Sequence, residues 1–380
     1  METRRYKNSG ELISLLGFGC MRLPMLGESE IDKAAAQEMV DYAIAHGVNY
    51  FDTAYMYHDG KSEPFTGEAL AKHPRASFNL ATKMPLVSVS SKADVERIFN
   101  EQLQNCRVDY FDYYLLHNIN ESHWEKVESY GIYEFAKEKQ RQGKIRRLGF
   151  SFHDKPELLM TVAGRREWDF AQIQLNYLDW ELQDAGLQYK ILNDKGIPVV
   201  VMEPVRGGAL ASLCEKSTAL FKAARPSAST ASWALRYAAS LPGVLTVLSG
   251  MSSMDQLRGN ISTMNDFVPL NEQDYTVIEK ALDAYREESV IPCTACRYCM
   301  DCPSGADIPK VFGIYNNYLQ GQSPRNEFIF DLEYNNILGK GKQAQECSGC
   351  GQCLSLCPQH IDIPQWMETI NAFARGRAAM

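Results

Sequence analysis

No stretch of this 380-residue chain stays apolar for long. Its longest runs, such as 197–202, fall far short of the ~20 residues a membrane-spanning helix needs. An excess of basic charge is missing too. Lys and Arg number 39 against 47 Asp and Glu, a net charge of −8, whereas a nucleic-acid binder would carry a basic face. The opening residues, Met1-Glu2-Thr3-Arg4-Arg5-Tyr6-Lys7, lead into no apolar segment, so no signal peptide is expected and the compartment is read as the cytoplasm. The cysteines are not spread as a disulfide framework would spread them. Nor does Gly17-Phe18-Gly19-Cys20-Met21-Arg22 supply the third glycine of the G-x-G-x-x-G turn that opens a doubly wound sheet.

What remains is an ordinary globular composition, 45% hydrophobic and 23% charged, able to bury a large core. At about 150 residues per domain, the length fits two domains or a little more. Eight of the eleven cysteines lie between Cys293 and Cys357. Cys293, Cys296, Cys299 and Cys302 read C-x2-C-x2-C-x2-C-P; Cys347, Cys350, Cys353 and Cys357 read C-x2-C-x2-C-x3-C-P. The second run is the bacterial ferredoxin pattern, in which three close thiolates hold one cubane and the fourth reaches to the partner cluster. The expected ligand sets are therefore Cys293, Cys296, Cys299 and Cys357 for one [4Fe–4S] cluster, and Cys347, Cys350, Cys353 and Cys302 for the other. Paired C-x2-C can also hold zinc, but four cysteines this close, followed by Pro, suit a cubane better.

An internal echo supports the pairing: Cys302-Pro-Ser-Gly-Ala-Asp-Ile-Pro309 returns as Cys357-Pro-Gln-His-Ile-Asp-Ile-Pro364. Each phrase predicts a helix start, near 310–319 and 365–373, with Asp and Pro at the N-terminus. The 44 residues between Cys302 and Cys347 read as helical over 311–318 and roughly 328–338. The module thus resembles the α-helical ferredoxin type.

Before it, eight strand-length apolar runs recur at 13–19, 50–54, 78–82, 113–117, 146–151, 171–176, 198–202 and 245–249. Between them lie stretches with apolar residues at helical spacing: 33–45, a helix opened by a Ser91/Asp94 capping box, then 124–139, 156–163, 187–193, 231–239 and 254–264. Eight such repeats in about 250 residues predict a (β/α)8 TIM barrel, with a mainly α-helical ferredoxin-like iron–sulfur domain after it. The expected domains are 1–270 (barrel), 271–290 (linking helix, 272–288) and 291–380 (clusters). Residues 4–14, with a turn at Asn8-Ser9-Gly10, predict a hairpin.

Barrel chemistry sits at the C-terminal ends of the strands. There the sequence offers Asp52, then Tyr57 in the following loop, Lys83, and His117. A phenol near a cation gives up its proton more readily, a carboxylate can hold that cation, and an imidazole can orient a carbonyl. His58, His123 and His153 also fall in βα loops and are read as solvated. Cys106 and Cys214 are read as ordinary.

These residues, in Gly47-Val48-Asn49-Tyr50-Phe51-Asp52-Thr53-Ala54-x-x-Tyr57, Thr82-Lys83 and Asp112…His117, together with Gly17-Phe18-Gly19-x-Met21-Arg22-Leu23-Pro24, closely resemble the aldo/keto reductases over about residues 1–270. The whole chain resembles the branch of that family with a C-terminal two-cluster module. The resemblance implies Tyr57 as general acid/base, Lys83 as its tuner, Asp52 as the partner of Lys83, and His117 as a substrate-positioning group. It also implies a nicotinamide cofactor meeting Gly19, Cys20, Met21, Ser151, Gln174, Met202, Glu203, Pro204, Arg206, Gly208, Ser249 and Asn260. The chain departs from the family where Phe152 replaces an Asn, Met202 a stacking aromatic, and Gly250 and Gln256 the cations that select NADP(H). NADP(H) and NAD(H) therefore both stay open, as does FMN, because a flavin would join two-electron to one-electron transfer.

The resulting expectation is an oxidoreductase interconverting a small-molecule carbonyl and alcohol, with the clusters linking that site to a ferredoxin or flavodoxin-type carrier. The alternatives are clusters that are structural or redox-sensing, a non-catalytic electron-transfer subunit, and a channel-associated subunit. No nucleic acid or membrane partner is expected.

Overall fold

The computed structural model describes every residue except 8, 9, 28, 266, 287–290, 301, 320–329, 379 and 380. Eight parallel strands close on themselves in chain order: β1 (Leu16–Gly19), β2 (Tyr50–Asp52), β3 (Asn79–Met84), β4 (Phe111–Ile119), β5 (Ile145–Phe152), β6 (Phe170–Gln174), β7 (Val199–Met202) and β8 (Val244–Gly250), which pairs back to β1. These are the eight predicted runs, their ends moved by three residues at most. They read as continuous apolar segments because a barrel strand is covered on both faces; Leu80 to Met84, for instance, are all buried.

Inside the barrel, Tyr50, Ala81, Tyr113, Leu115, Phe170, Val200, Leu245 and Leu248 pack with Tyr6 and Ile13. The last two belong to an antiparallel hairpin, Thr3–Arg5 against Leu12–Ser14. Arg4 donates from it to the carbonyls of Val244 and Ala239, and Arg147 pairs with Glu11 at 3.1 Å. The hairpin is thereby tied to the end of the barrel where the strands begin. Of its predicted turn, Asn8 and Ser9 lie outside the described residues.

The longer helices of residues 1–265 are, in chain order, α1 (Lys33–Ala45), α2 (Ser62–Leu70), α3 (Lys92–Asn105), α4 (Glu121–Tyr130), α5 (Ile132–Arg141), α6 (Pro156–Arg165), α7 (Ala185–Asp194), α8 (Glu215–Ala224), α9 (Thr230–Ser240) and α10 (Met254–Asn265). Helices α2 and α8 are not among the predicted ones. The stretch predicted as a single helix over 124–139 is two, α4 and α5, because Gly131 adopts a left-handed conformation (φ 66°) that ends one and opens the next. At the start of α3, Ser91 Oγ accepts the amide of Asp94, while the Asp94 carboxylate takes the amide of Ser90 rather than that of Ser91.

Contacts group the chain into two units: Met1–Pro204 with Ser232–Leu270, and Val205–Ala231 with Asn271–Met380. In the second unit, α11 (Glu272–Arg286) lies against α8, where Arg225 grips Asp274 through two hydrogen bonds of 3.0 and 2.6 Å. Residues 287 and 288 of the predicted linking helix fall outside the described residues. Helices α12 (Ile308–Leu319) and α13 (Ile363–Ala378) each begin two residues before the predicted start. The carboxylates of Asp307 and Asp362 accept the amides of Lys310 and Gln365 at these ends. Val311, Phe312, Tyr315, Phe330, Tyr334, Met367 and Ile370 form their shared core. Of the predicted helix over 328–338, residues 328 and 329 are outside the described residues, and Glu333–Ile337 forms a π-helical turn. Among the described residues no helix is long and apolar enough to cross a membrane.

Candidate functional site

At the C-terminal ends of the strands, Asp52 closes β2, Lys83 sits in β3 and His117 in β4. Tyr57 follows in a loop where its amide donates to the carbonyl of Ala54 and its carbonyl accepts from Ser62. Lys83 is wholly buried. Its ammonium donates to Asp52 Oδ1 at 2.6 Å and to the carbonyl of Thr53 at 2.7 Å, which compensates for burying the charge. The same Nζ lies 5.0 Å from the centroid of the Tyr57 ring. The Tyr57 and His117 rings meet edge to face with centroids 6.1 Å apart. The structure thus brings all four predicted residues to one place.

The electrostatics follow from burial. Desolvation raises the Asp52 carboxyl above its ordinary range, against the pull of Lys83. Desolvation, then the charge of Lys83, then His153 and His123, hold the His117 imidazole well below its ordinary value. At neutral pH it is an uncharged ring able to hydrogen-bond a carbonyl, edge to face with a phenol whose ring centroid lies 5.0 Å from the Lys83 ammonium.

Glu63, on α2, is a supporting residue that the sequence reading misses. It is buried, and its carboxylate accepts from Thr82 at 2.6 Å and from Gln102 at 2.7 Å, while Gln102 also donates to the carbonyl of Lys83 at 2.9 Å. This network fixes the strand that presents Lys83. The only sequence signal is an acid followed by Pro64, in a segment whose helical pattern is broken by Gly67.

The positions expected to face a nicotinamide are mostly engaged with one another. Gly19 ends β1, and Cys20 and Met21 open a 3-10 turn over Cys20–Arg22. Burial pushes the Cys20 thiol up to about 12. Ser151 Oγ accepts the amide of Asn118 at 2.7 Å, leaving its own hydrogen to donate. Gln174 donates to Asp179 at 2.7 Å, and Asn176 donates to the same oxygen at 2.6 Å. Gln172 donates to the thioether of Met202 at 3.5 Å. Asn260 donates to Ser249 at 3.0 Å. Glu203, next to Pro204, adopts a left-handed backbone (φ 53°) and pairs with Arg22 at 3.7 Å. Phe152, where the family has Asn, is buried edge-on to Phe150. Two buried acceptors, Asp52 Oδ2 and Gln172 Oε1, find no partner. Polar donors on a bound ligand or water would satisfy both. Arg206 and Gly208 lie in the second unit.

There, Cys293 is within electrostatic reach of Cys296 and Cys357, Cys299 of the same three, and Cys353 of Cys347, Cys350 and Cys302. These are the two expected sets. A cavity lined by Cys302, Cys347, Cys350 and Cys353 is walled by Pro303, Leu356 and Pro364. The sequence echo extends to the backbone. Ala295 and Arg297 are left-handed around Cys296, as Gly349 and Gly351 are around Cys350, and Gly305 and His360 match in the same way after the fourth cysteines. The Ala295 amide donates to Cys293 Sγ at 3.4 Å, an arrangement that suits a sulfur ligand carrying charge. Among the described residues no three side chains close to the spacing of a single-ion site, as zinc would need. Eight thiols in two open quartets fit two cubanes.

A closed barrel with a lysine–carboxylate pair under a phenol, continued by two cysteine quartets, places the protein among barrel oxidoreductases extended by an iron–sulfur module. Residues 15–283 match the aldo/keto reductase family, and the chain belongs to it; residues 292–361 match the 4Fe-4S dicluster domain. The chain is 27% identical over 297 residues to an uncharacterized oxidoreductase of Bacillus subtilis, YqkF, covering 70% of this chain and 92% of that one. It is 26% identical over 303 residues to L-galactose dehydrogenase of Arabidopsis thaliana, covering 73% and 93%. Among solved structures, an aldo-keto reductase from Bacillus halodurans in its holo form superposes with a TM-score of 0.59 at 28% identity, covering 74% of this chain and 96% of that one. The protein is an oxidoreductase of this family.

Proposed function

We propose that the enzyme interconverts a small-molecule carbonyl and its alcohol at Asp52, Tyr57, Lys83 and His117, and that the two [4Fe–4S] clusters connect this chemistry to a ferredoxin or flavodoxin-type carrier. The observation that carries the reading is the buried Lys83, held by Asp52 at 2.6 Å with its Nζ 5.0 Å from the Tyr57 ring centroid. A nicotinamide bound at the mouth supplies or takes the hydride. Tyr57 gives its proton to the carbonyl oxygen in reduction and takes it back in oxidation. Lys83 stabilises the phenolate left on Tyr57, and Asp52 keeps Lys83 charged and in place. His117, neutral, orients the carbonyl oxygen toward Tyr57. Cys293, Cys296, Cys299 and Cys357, and Cys302, Cys347, Cys350 and Cys353, would hold the two clusters, which would supply one-electron steps, with a flavin dividing the hydride's electron pair between them. Thiols bound in this way suit the reducing cytoplasm.

NAD(H) is the better-supported nucleotide. Position 250 has no side chain, the Gln256 carbonyl accepts the amide of Ser252 at 2.8 Å, and Arg258 turns to the ring of Tyr42, 5.5 Å from its centroid. The loop after β8 therefore aims none of these groups at a 2′-phosphate. One relative, 22% identical, is an NADH-specific methylglyoxal reductase of Escherichia coli.

The test is the visible spectrum of anaerobic protein titrated with NADH and then NADPH. Bleaching of the cluster absorbance, at lower NADH than NADPH, is expected. Clusters that neither nucleotide nor dithionite bleaches would sink the electron-relay half of the reading; bleaching by dithionite alone would mean a potential too low for nicotinamide to reach.

A further inference from the structure

The family resemblance implies that Arg206 and Gly208 meet the nucleotide cofactor, yet in the folded chain the Arg206 side chain is only 1% exposed and lies in the second unit. Its Nη2 donates to Oε1 of Gln359 at 3.0 Å. Gln359 is also buried and stands two residues beyond Cys357. Beside Arg206, Gly207 presses on the backbone of Thr294, the residue after Cys293: a Cβ at position 207 would lie 2.1 Å from the Thr294 carbonyl oxygen. One short piece of chain therefore touches both loops that close the quartet of Cys293, Cys296, Cys299 and Cys357. It does so with three successive left-handed residues, Arg206 (φ 51°), Gly207 (φ 64°) and Gly208 (φ 101°). An arginine holds that backbone only where its surroundings impose it.

We propose that Arg206 is a positioning residue for the cluster held by Cys293, Cys296, Cys299 and Cys357, and that its buried guanidinium raises that cluster's reduction potential. The proposal rests on the cluster assignment above. A guanidinium stays charged at any pH the protein survives. Reduction adds one negative charge to the cluster, and a fixed cation in a poorly solvated setting stabilises the reduced form. The contacts of Arg206 with Gln359 and of Gly207 with Thr294 fall beside Cys357 and Cys293, so the two clusters should respond differently to the loss of Arg206.

The experiment is an EPR-monitored dithionite titration of the full-length, anaerobically purified protein. Wild type is compared with Arg206→Gln and Arg206→Lys, with iron content and NADH affinity measured on the same samples. Arg206→Gln should lower one midpoint by the equivalent of a roughly tenfold change in the reduction equilibrium, ~59 mV for a one-electron couple, and leave the other in place. Arg206→Lys should recover most of the shift. Unmoved midpoints at full iron content would overturn the proposal. So would a loss of NADH affinity with both midpoints fixed, which would return Arg206 to a phosphate site. If Arg206→Gln fails to take up iron, Gln359→Ala keeps the cation but removes its anchor; a shift in one midpoint supports the proposal and none overturns it. Wild-type protein with no reducible cluster would overturn it together with the assignment beneath it.

Discussion

At the barrel mouth, Asp52, Lys83 and His117 stand on strands whose ladders close a complete ring, and Lys83 is bound to Asp52 with nothing added. In the second unit, the cysteines sit on short loops in which Ala295, Arg297 and His360 all hold left-handed backbones. The first arrangement is preorganised by the fold. The second keeps a strained shape that metal–sulfur bonds are suited to hold, since metal binding and folding are coupled. One protein thus contains a site that the scaffold makes and a site that its occupant helps to make.

The sharpest way to break this contrast is to remove iron. Anaerobic chelation should expose the amides of α12 and α13 to hydrogen exchange while those of β1–β8 remain protected. Equal loss in both units would end the distinction. Next, Tyr57→Phe should cut carbonyl turnover by about 10²–10⁴-fold without altering either cluster's EPR signal, read on the same preparation. Lys83→Met would leave Asp52 buried without its cation, so the unfolding free energy of the barrel, read from urea denaturation, should fall by about 3–5 kcal/mol, and Asp52→Asn in the same chain should restore part of it.

The smallest effect concerns pH. The folded-state pKa of His117 is held below its unfolded value of about 6.5, so the unfolded chain binds more protons. Its stabilising contribution is present above pH 6.5 and is lost as pH falls below that, by up to ~1.4 kcal/mol per unit. His117→Gln should flatten that slope between urea midpoints taken at pH 7, 6 and 5.

Much of this was legible from the sequence where covalent neighbours carry the signal. The eight strands are bounded apolar runs, and the cysteine quartets and their repeated phrase lie within 65 residues. Helix α2 was not legible, because Pro64 and Gly67 count against a helix. Pro64 is tolerated in the first turn, and Gly67 is there for close approach: a Cβ would lie 2.5 Å from the Asn105 carbonyl oxygen at the end of α3. Glu63 is hidden with it, since its partners Thr82 and Gln102 are 19 and 39 residues away. The Arg206–Gln359 bond joins residues 153 positions apart, and only the folded chain reveals it. The break at Gly131 is a local signal that helical periodicity on both sides of it obscures.

The exchange of fourth ligands has a consequence for how the module is made. Cys357 lies with the quartet that begins at Cys293, and Cys302 with the one that begins at Cys347. A nascent chain that has emerged only as far as residue 346 therefore offers an incomplete cage at one end and a single thiol of the other. Neither cage is complete before Cys353 is synthesised, and the one that begins at Cys293 waits for Cys357. Iron loading becomes one late event, and a stop codon anywhere between the two cysteine runs deletes both clusters together.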